Sequence, residues 1–188
     1  MSITIDRSNE NDRPAILWLM NEARGDDLSE DERAKQGFVQ GQMDESLLSR
    51  FQSGSGVFVA RDGTTLAGFC MTSTSALALA AGGPSAEMVK AIAKKMPEMP
   101  LDQIFLNGPV AVDRRYKGKG LLTRLLVHVC NELRTQFKLG VLFVEYANSK
   151  SLAIHRHYPM DESTTFTFND RSYAVFTFAP DNVINHYR

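Results

Sequence analysis

The most constraining feature of the sequence is an apolar segment that runs through a basic, glycine-containing turn directly into a helical pattern. Residues 104–112 have the composition of a β-strand, and the following turn contains Gly118 and Gly120. From Leu121 apolar residues recur every three or four positions, which predicts a helix with a wide apolar side packed on a sheet. A strand, a turn with free backbone N–H groups and a helix N-terminus together form a typical anion site. The sequence therefore predicts a phosphate-bearing ligand at this turn.

The segment after the helix makes this unit a β–α–β crossover. Gly140 ends the helix, and residues 141–144 form a continuous apolar run, as expected of a buried strand parallel to its predecessor. The triplet Asn107-Gly108-Pro109 interrupts the first strand and predicts either a bulge or a place where the neighbouring strand diverges. The turn matches neither G-x-G-x-x-G nor the P-loop pattern, and a single crossover is present, so a Rossmann or P-loop protein is not expected.

The rest of the chain alternates hairpins and helices. Hairpins are predicted across Asp62-Gly63 and across Asn169-Asp170. Residues 3–5 form a short first strand, and Trp18 is a candidate for the apolar side of the first helix. Helices are predicted from Pro14 onward, at residues 43–51, at residues 85–96, and from Asn148 or Ser149 to about His157. The element order is that of a mixed α/β protein, which we expect to form one domain over residues 1–188.

Composition narrows the class of protein. A hydrophobic fraction of 43% is enough for a core, and a formal net charge of −1 provides no general case for nucleic-acid binding. The sequence has no apolar run of membrane-spanning length, and residues 1–6 lack the features of a signal peptide. Cys70 and Cys130 lie in apolar segments and are expected to be reduced, buried thiols. We therefore expect a cytoplasmic protein without a membrane partner.

Charge is distributed unevenly along the chain. Residues 1–50 are acidic overall, with a concentration at Asp26, Asp27 and residues 30–32, whereas residues 111–140 are basic. Two solvated faces would explain this distribution equally well. The alternative is a protein that binds a polyanion at the basic segment and a cationic molecule near the acidic one.

The glycine turn resembles the acyl-CoA-binding core of the GNAT superfamily of N-acyltransferases, whose members read V-x-P-x-x-R-G-x-G-x-G/A here. Val112, Lys117, Gly118 and Gly120 stand at matching positions, whereas Arg114 replaces the proline and Leu122 replaces the last small residue. A second reading frame begins at Arg115 but fits the distance from strand to turn less well.

A second motif of this family, N-x-x-A/S-x-x-L-Y/H-x-x-x-G-F, resembles residues 148–160. Asn148, Ser151, Ile154 and His155 fall at its spacing, and Pro159-Met160 stands where Gly-Phe is usual. The two motifs span about a third of the chain. The resemblance implies a GNAT-like, mixed α+β fold: a central, mostly antiparallel sheet of about seven strands, with a splayed parallel pair at the CoA site and flanking helices.

The resemblance also implies which residues bind CoA. Backbone N–H groups of the turn, with Lys117 and Lys119 adding charge, would bind the pyrophosphate, and the main chain of the preceding strand would bind the pantetheine arm. Asn148 and Ser151 contact CoA in the family, although a simple helix cap would also explain them. The predicted CoA-binding residues are Val110, Ala111, Val112, Lys117, Gly118, Lys119, Gly120, Leu121, Leu122, Asn148 and Ser151.

The catalytic residues are less well defined. His155 stands where many relatives have a tyrosine proposed to protonate the leaving thiolate, so it is either that acid or a polar residue that lines the CoA channel. Tyr158 is the alternative acid. The strand before the turn has no carboxylate between Asp102 and Asp113, which leaves Glu145 as the candidate general base or as a salt-bridge partner. The four histidines have no metal-site spacing, so no metal is expected.

The resemblance implies an N-acetyltransferase that uses acetyl-CoA as cosubstrate and transfers the acetyl group by direct attack in a ternary complex. The acceptor is expected to be a small-molecule or peptide amine, and a cationic one would suit the acidic residues near the N-terminus. A non-catalytic acyl-CoA-binding module and transfer of a longer acyl group are the alternatives. Residues 76–100 form a long connection that would shape either the acceptor site or a homodimer contact.

Overall fold

The structure is a computed structural model that describes residues 3–24, 29 and 43–188. The strands are β1 (Ile3–Arg7), β2 (Gly56–Asp62), β3 (Thr65–Thr74), β4 (Ile104–Val112), β5 (Leu139–Glu145), β6 (Asp161–Phe168) and β7 (Arg171–Phe178). The helices are α1 (Arg13–Glu22), α2 (Glu45–Ser53), α3 (Ser75–Ala81), α4 (Gly83–Lys95), α5 (Leu121–Leu133), α6 (Ser149–His155) and α7 (Pro180–His186). Short 3₁₀ turns cover Glu10–Asp12, Leu101–Gln103 and Arg114–Tyr116.

The described strands form one sheet in the order β1-β2-β3-β4-β5-β7-β6. Within this part of the chain, β4 and β5 are the one parallel pair, and the other neighbours are antiparallel. The predicted mixed α/β class, with a mostly antiparallel seven-stranded sheet and flanking helices, is confirmed. The apolar run of β5 is explained by its position, because a central strand is covered on both faces.

The parallel pair separates shortly after it begins. Pairing between β4 and β5 ends at Leu106 and Val141, although β4 continues to Val112 and β5 to Glu145. On its other side β4 stays paired with β3 as far as Val112, with a register shift opposite Gly108-Pro109. Both predicted features, the bulge and the divergence of the neighbouring strand, therefore occur together at this point.

Three hydrophobic cores pack against the sheet. Neighbouring residues of a strand point to opposite faces, so Phe105 faces α5 and α7 whereas Leu106 faces the other side. The face opposite α5 carries two separate cores, one under α1 and α2 and one under α3 and α4. Their boundary crosses β4 between Leu106 and Ala111, where β5 diverges. The split between β4 and β5 therefore coincides with the boundary between these two cores.

The local predictions succeed where a turn residue specifies the backbone. Asn169 and Asp170 have φ angles of 48° and 60°, as the predicted two-residue hairpin turn requires.

Two helices were not predicted from the sequence. They are α3, in an alanine-rich stretch, and α7, whose Val183 and Ile184 are buried in the core that contains α5. The expectation for Trp18 is wrong, because this side chain is 55% exposed. None of the described helices is long and apolar enough to cross a membrane.

Candidate functional site

The glycine turn leaves open space beside its main chain. Gly118 and Gly120 have φ angles of 76° and 70°, a region that side chains disfavour and glycine adopts freely. A Cβ atom built on either residue would meet no other atom within 4 Å. Gly120 precedes α5, whose first N–H groups have no partner within the helix and carry partial positive charge. An anion can therefore approach both the turn and the start of α5.

The turn is held in this shape by one buried carboxylate. Asp113 is 3% exposed and accepts hydrogen bonds from the backbone N–H of Arg115 at 2.9 Å and from its guanidinium at 3.1 and 2.8 Å. The hydrogen bonds from the Arg115 side chain are the main reason why the pKa of Asp113 is lowered. Arg115 is thus engaged within the turn, which favours the reading frame that begins the glycine motif at Lys117.

Tyr116 anchors the turn to the rest of the sheet. Its ring is 7% exposed, and its hydroxyl donates to the carboxylate of Asp62, at the tip of the β2–β3 hairpin, over 3.2 Å. The ammonium of Lys119 lies 5.1 Å from the centre of this ring, a cation–π distance. Lys117 is exposed beside Gly118. The turn therefore has exposed positive charge, while the buried Tyr116 and its hydrogen bond to Asp62 hold its backbone in place.

The residues predicted for the pantetheine arm lie along the split. Val110, Ala111 and Val112 belong to the part of β4 that has lost β5 as a neighbour, and β3 occupies only their other side. Within the described sheet, the backbone groups that face β5 are therefore without a strand partner. A ligand lying along this edge could hydrogen-bond to them as an added strand does.

The short helix α6 follows directly after the open end of β5. Asn148 is 5% exposed, and its side-chain oxygen accepts from the backbone N–H of Ser151 at 3.2 Å, so it caps the helix as the simpler interpretation proposed. The hydroxyl of Ser151 lies 3.3 Å from Nδ1 of His155. Both predicted CoA contacts thus lie at the start of α6, and their role in ligand binding stays a prediction.

The hydrogen bonds of His155 specify its protonation state. Its Nδ1 lies 2.7 Å from the carbonyl oxygen of Ser151, and since a carbonyl can only accept, Nδ1 carries a proton. Burial lowers the pKa of His155, so the neutral ring is favoured. The lone pair of the neutral ring is then on Nε2. This arrangement favours a hydrogen-bond acceptor at Nε2 over the predicted acid.

Tyr158 is placed differently from His155 although the two rings are in contact. The ring centres are 5.9 Å apart in an edge-on arrangement, and the hydroxyl of Tyr158 lies 3.3 Å from that of Thr123 in the first turn of α5. Burial raises the pKa of Tyr158, which keeps the phenol protonated at neutral pH. The phenol of Tyr158 therefore keeps its proton, whereas the proton of His155 is on Nδ1 and is donated to the carbonyl oxygen of Ser151.

Glu145 lies on the other face of the sheet. It follows Val141 and Phe143 on the face of α3 and α4, whereas Leu142 and Val144 pack in the core that contains α5 and α6. Its carboxylate is 3.5 Å from the guanidinium of Arg171, which supports the salt-bridge interpretation. The base role stays a prediction. The candidate acid and the candidate base therefore lie on opposite faces of the sheet.

The acidic segment predicted to border the acceptor, Asp26, Asp27 and residues 30–32, lies outside the described residues. Among residues 3–24, 29 and 43–188, no group of three or more His, Cys, Asp or Glu side chains could hold a metal ion. One polar residue of the split, Asn107, was given no functional role from the sequence. Asn107 follows Leu106 directly, and its position at the split depends on pairings that the sequence does not display.

Comparison with known proteins supports the architecture. No protein-family model matches the chain, and no curated protein matches its sequence. Solved structures with a similar fold include an N-acetyltransferase from Staphylococcus aureus Mu50, which is 16% identical, with a TM-score of 0.63 over 96% of this chain and 99% of its own.

Two further structures show the same similarity. The ribosomal-protein-S18-alanine N-acetyltransferase from Escherichia coli is 18% identical, with a TM-score of 0.61 over 95% of this chain and 94% of its own. The protein yncA from Salmonella typhimurium, solved with its cofactor acetyl-CoA, is 14% identical, with a TM-score of 0.63 over 96% of this chain and 95% of its own. At these identities the similarity establishes a common fold.

Proposed function

We propose that this chain, which has the fold of the GNAT superfamily, is an N-acetyltransferase that moves an acetyl group from acetyl-CoA to an amine. The observation that carries the proposal is the combination of two features at one end of the sheet. An open glycine turn at the N-terminus of α5 provides an anion site, and the split between β4 and β5 continues directly from it.

The donor would bind through the main chain. The N–H groups of Gly118 to Leu122 would donate to the pyrophosphate, and Lys117 would add charge from the surface. The pantetheine arm would lie along residues 110–112 of β4, with its thioester directed into the split. Asn148 and Ser151 at the start of α6 would border the arm on the side of β5. Acetyl-CoA is a substrate in this scheme, and the reaction uses no metal.

The transfer itself would be a direct attack in a ternary complex. The amine nitrogen forms a bond to the thioester carbonyl carbon, and the carbon–sulfur bond breaks as the tetrahedral intermediate collapses. Glu145, on the face opposite α5, would receive the amine proton directly or through water. Tyr158, on the face of α5, would deliver a proton to the departing thiolate. His155 would hold the donor or the phenol through its Nε2 lone pair.

A second candidate is a module that binds acyl-CoA without turning it over. Two observations favour it: β4 contains no carboxylate, and the carboxylate of Glu145 is 3.5 Å from Arg171. Such a protein would keep the donor site and lack a base. Transfer of a longer acyl group is a variant of the first proposal and is distinguished by the chain length of the donor.

Calorimetric titration with acetyl-CoA, followed by thiol release against a panel of small and peptide amines, tests these candidates. Binding with amine-dependent thiol release supports the transferase. Binding without release on any amine supports the module, and the absence of binding contradicts both. Comparison of acetyl-CoA with longer acyl-CoA donors in the same assay identifies the acyl group.

A further inference from the structure

Asn107 occupies the point at which the two parallel strands separate. Leu106 is the last residue of β4 that pairs with β5, and Asn107 follows it. On the other side Asn107 is paired with Thr72 of β3, and the bulge begins directly after it. Its side chain is half-buried and points to the face of α5, because it contacts Cys70, a member of the core on that face. This is also the face from which Tyr158 approaches.

The carboxamide of Asn107 is held by a buried thiol. The Sγ atom of Cys70 donates to Oδ1 of Asn107 at 3.3 Å, a shorter contact than the 3.6 Å to the carbonyl oxygen of Met71. Cys70 is 1% exposed. Burial is the main reason why the pKa of this thiol is raised, so the group keeps the proton that it donates. Because Oδ1 is bound to Cys70, the Nδ2 amide group of Asn107 points away from that contact.

The side chain of Thr72, which is paired with Asn107 across the sheet, already has hydrogen-bond partners. The hydroxyl of Thr72 lies 2.8 Å from both the hydroxyl of Ser55 and the carbonyl oxygen of Gly56. In the part of the chain that the structure describes, Nδ2 of Asn107 makes no hydrogen bond. Two N–H donors therefore remain available at the narrow end of the split.

The length of β4 between the glycine turn and Asn107 matches the length of a pantetheine arm, so the thioester of a bound donor would reach Asn107. Asn107 lies five positions before Val112, the last residue of β4, which corresponds to about 16 Å of strand. An extended pantetheine arm that starts at a pyrophosphate on the turn covers a distance of this order. The thioester of a donor bound as proposed above would then lie beside Asn107.

We propose that Asn107 is a catalytic residue whose Nδ2 donates to the thioester carbonyl oxygen and to the oxyanion that forms when the amine attacks. The inference rests on the proposed function. When the amine nitrogen bonds to the carbonyl carbon, the electron pair of the C=O bond moves to the oxygen, and Asn107 stabilises the resulting negative charge. Cys70 is a positioning residue, because it acts on the reaction through the orientation of Asn107.

The test uses acetyl-CoA labelled with ¹³C at the carbonyl, bound to the full chain without an amine. In the wild type the carbonyl stretching frequency of the bound thioester is expected to fall below that of free acetyl-CoA, since a hydrogen bond weakens the C=O bond. In Asn107→Ala the frequency returns towards the free value while the affinity for acetyl-CoA changes less than about threefold. Asn107→Asp, which keeps the shape and lacks the donor, gives the same result if the alanine variant fails to fold.

The kinetic measurement follows the amine found active in the panel. Removal of one oxyanion donor typically lowers kcat by about 10²–10³, and Asn107→Ala should do so with little change in KM for acetyl-CoA. Asn131→Ala is the matched control, since the Nδ2 of Asn131 donates to the carbonyl of Val127 on the outside of α5. Cys70→Ala should reduce the frequency shift in part, and Cys70→Ser, which restores a donor, should recover it.

The outcomes separate the two proposals. If acetyl-CoA binds and its carbonyl frequency is the same in the wild type and in Asn107→Ala, the role of Asn107 is overturned and the transferase is unaffected. A shift that depends on Asn107 in a protein that acetylates no amine supports polarisation of the carbonyl and contradicts the transferase. If acetyl-CoA does not bind the wild type, both proposals are wrong.

Discussion

The hydroxyl of Tyr158 lies 3.3 Å from the hydroxyl of Thr123, within hydrogen-bond distance. This contact connects the segment after α6 to the first turn of α5. Thr123 lies three residues after Gly120, at the predicted pyrophosphate site. The contact therefore couples the position of the candidate acid to the helix that would bind the donor phosphates. A donor seated on the turn would lie next to a phenol that is already ordered.

Replacement of this hydroxyl tests its role in transfer. Tyr158→Phe is expected to lower kcat by about 100-fold, within the range typical of a general acid, while the affinity for CoA stays unchanged. Stopped-flow thiol release and calorimetry with CoA measure the two quantities. Tyr187→Phe is the control, since Tyr187 is 37% exposed and its ring packs against Tyr158. Equal losses of kcat in both variants would contradict the assignment.

Gly120→Glu is expected to weaken CoA binding at least about 100-fold, or about 2.7 kcal/mol, because it puts bulk and negative charge into the open space at the turn. The substitution also strains the backbone, since φ is 70°. Gly82→Glu is matched for this effect: Gly82 has a φ of 74°, and a Cβ there would meet nothing within 4 Å. Calorimetry should show normal CoA binding by the Gly82 variant at a similar loss of Tm.

Glu145 could act as a general base or serve only as the salt-bridge partner of Arg171, and variants of the two residues distinguish these roles. A base role predicts that Glu145→Gln lowers kcat strongly and that Arg171→Met, which keeps the carboxylate, retains most of the activity. A purely structural role predicts similar losses of Tm in both variants and no specific loss of kcat. Thermal unfolding and amine-dependent thiol release on the two variants provide the comparison.

His155 should make the stability of the protein depend on pH in a defined window. Burial lowers its folded pKa below the usual value of about 6.5, so between the two values the unfolded chain binds a proton that the folded chain does not. Stability should therefore fall as the pH drops through 6.5 towards the folded pKa. Urea unfolding at several pH values should show this slope in the wild type and a shallower one in His155→Gln.

Asp113→Asn should loosen the glycine turn, because a buried carboxylate that accepts three hydrogen bonds from Arg115 is replaced by a neutral amide. We expect a loss of about 1–2 kcal/mol in the free energy of unfolding and weaker binding of CoA. The folded pKa of Asp113 is lowered, so its contribution is present above the ordinary carboxyl range and is lost as the pH falls through the folded value. The wild type and the variant should therefore converge in stability at low pH.

Features that depend on neighbouring residues of the chain could be predicted from the sequence. The glycine turn, the start of α5 at Leu121, the bulge at Pro109 and the turn at Asn169-Asp170 all follow from backbone preferences of a few residues. The order of the elements and the β–α–β crossover then restrict the sheet to few arrangements. Most of the proposed donor site belongs to this class, because it consists of main-chain groups of β4 and the glycine turn.

Contacts between residues that are far apart in the sequence could be identified only from the tertiary structure. Cys70 is hydrogen-bonded to Asn107, 37 positions away in the sequence, and Arg171 is hydrogen-bonded to Glu145, 26 positions away. No local pattern specifies such pairs, since they depend on strand order, on register and on a two-against-one bulge that changes which side chains share a face. The sequence by itself thus determined the glycine turn and its strand–turn–helix frame. Only the packing of β3 against β4, and the loss of pairing between β4 and β5, decided which side chains face the split.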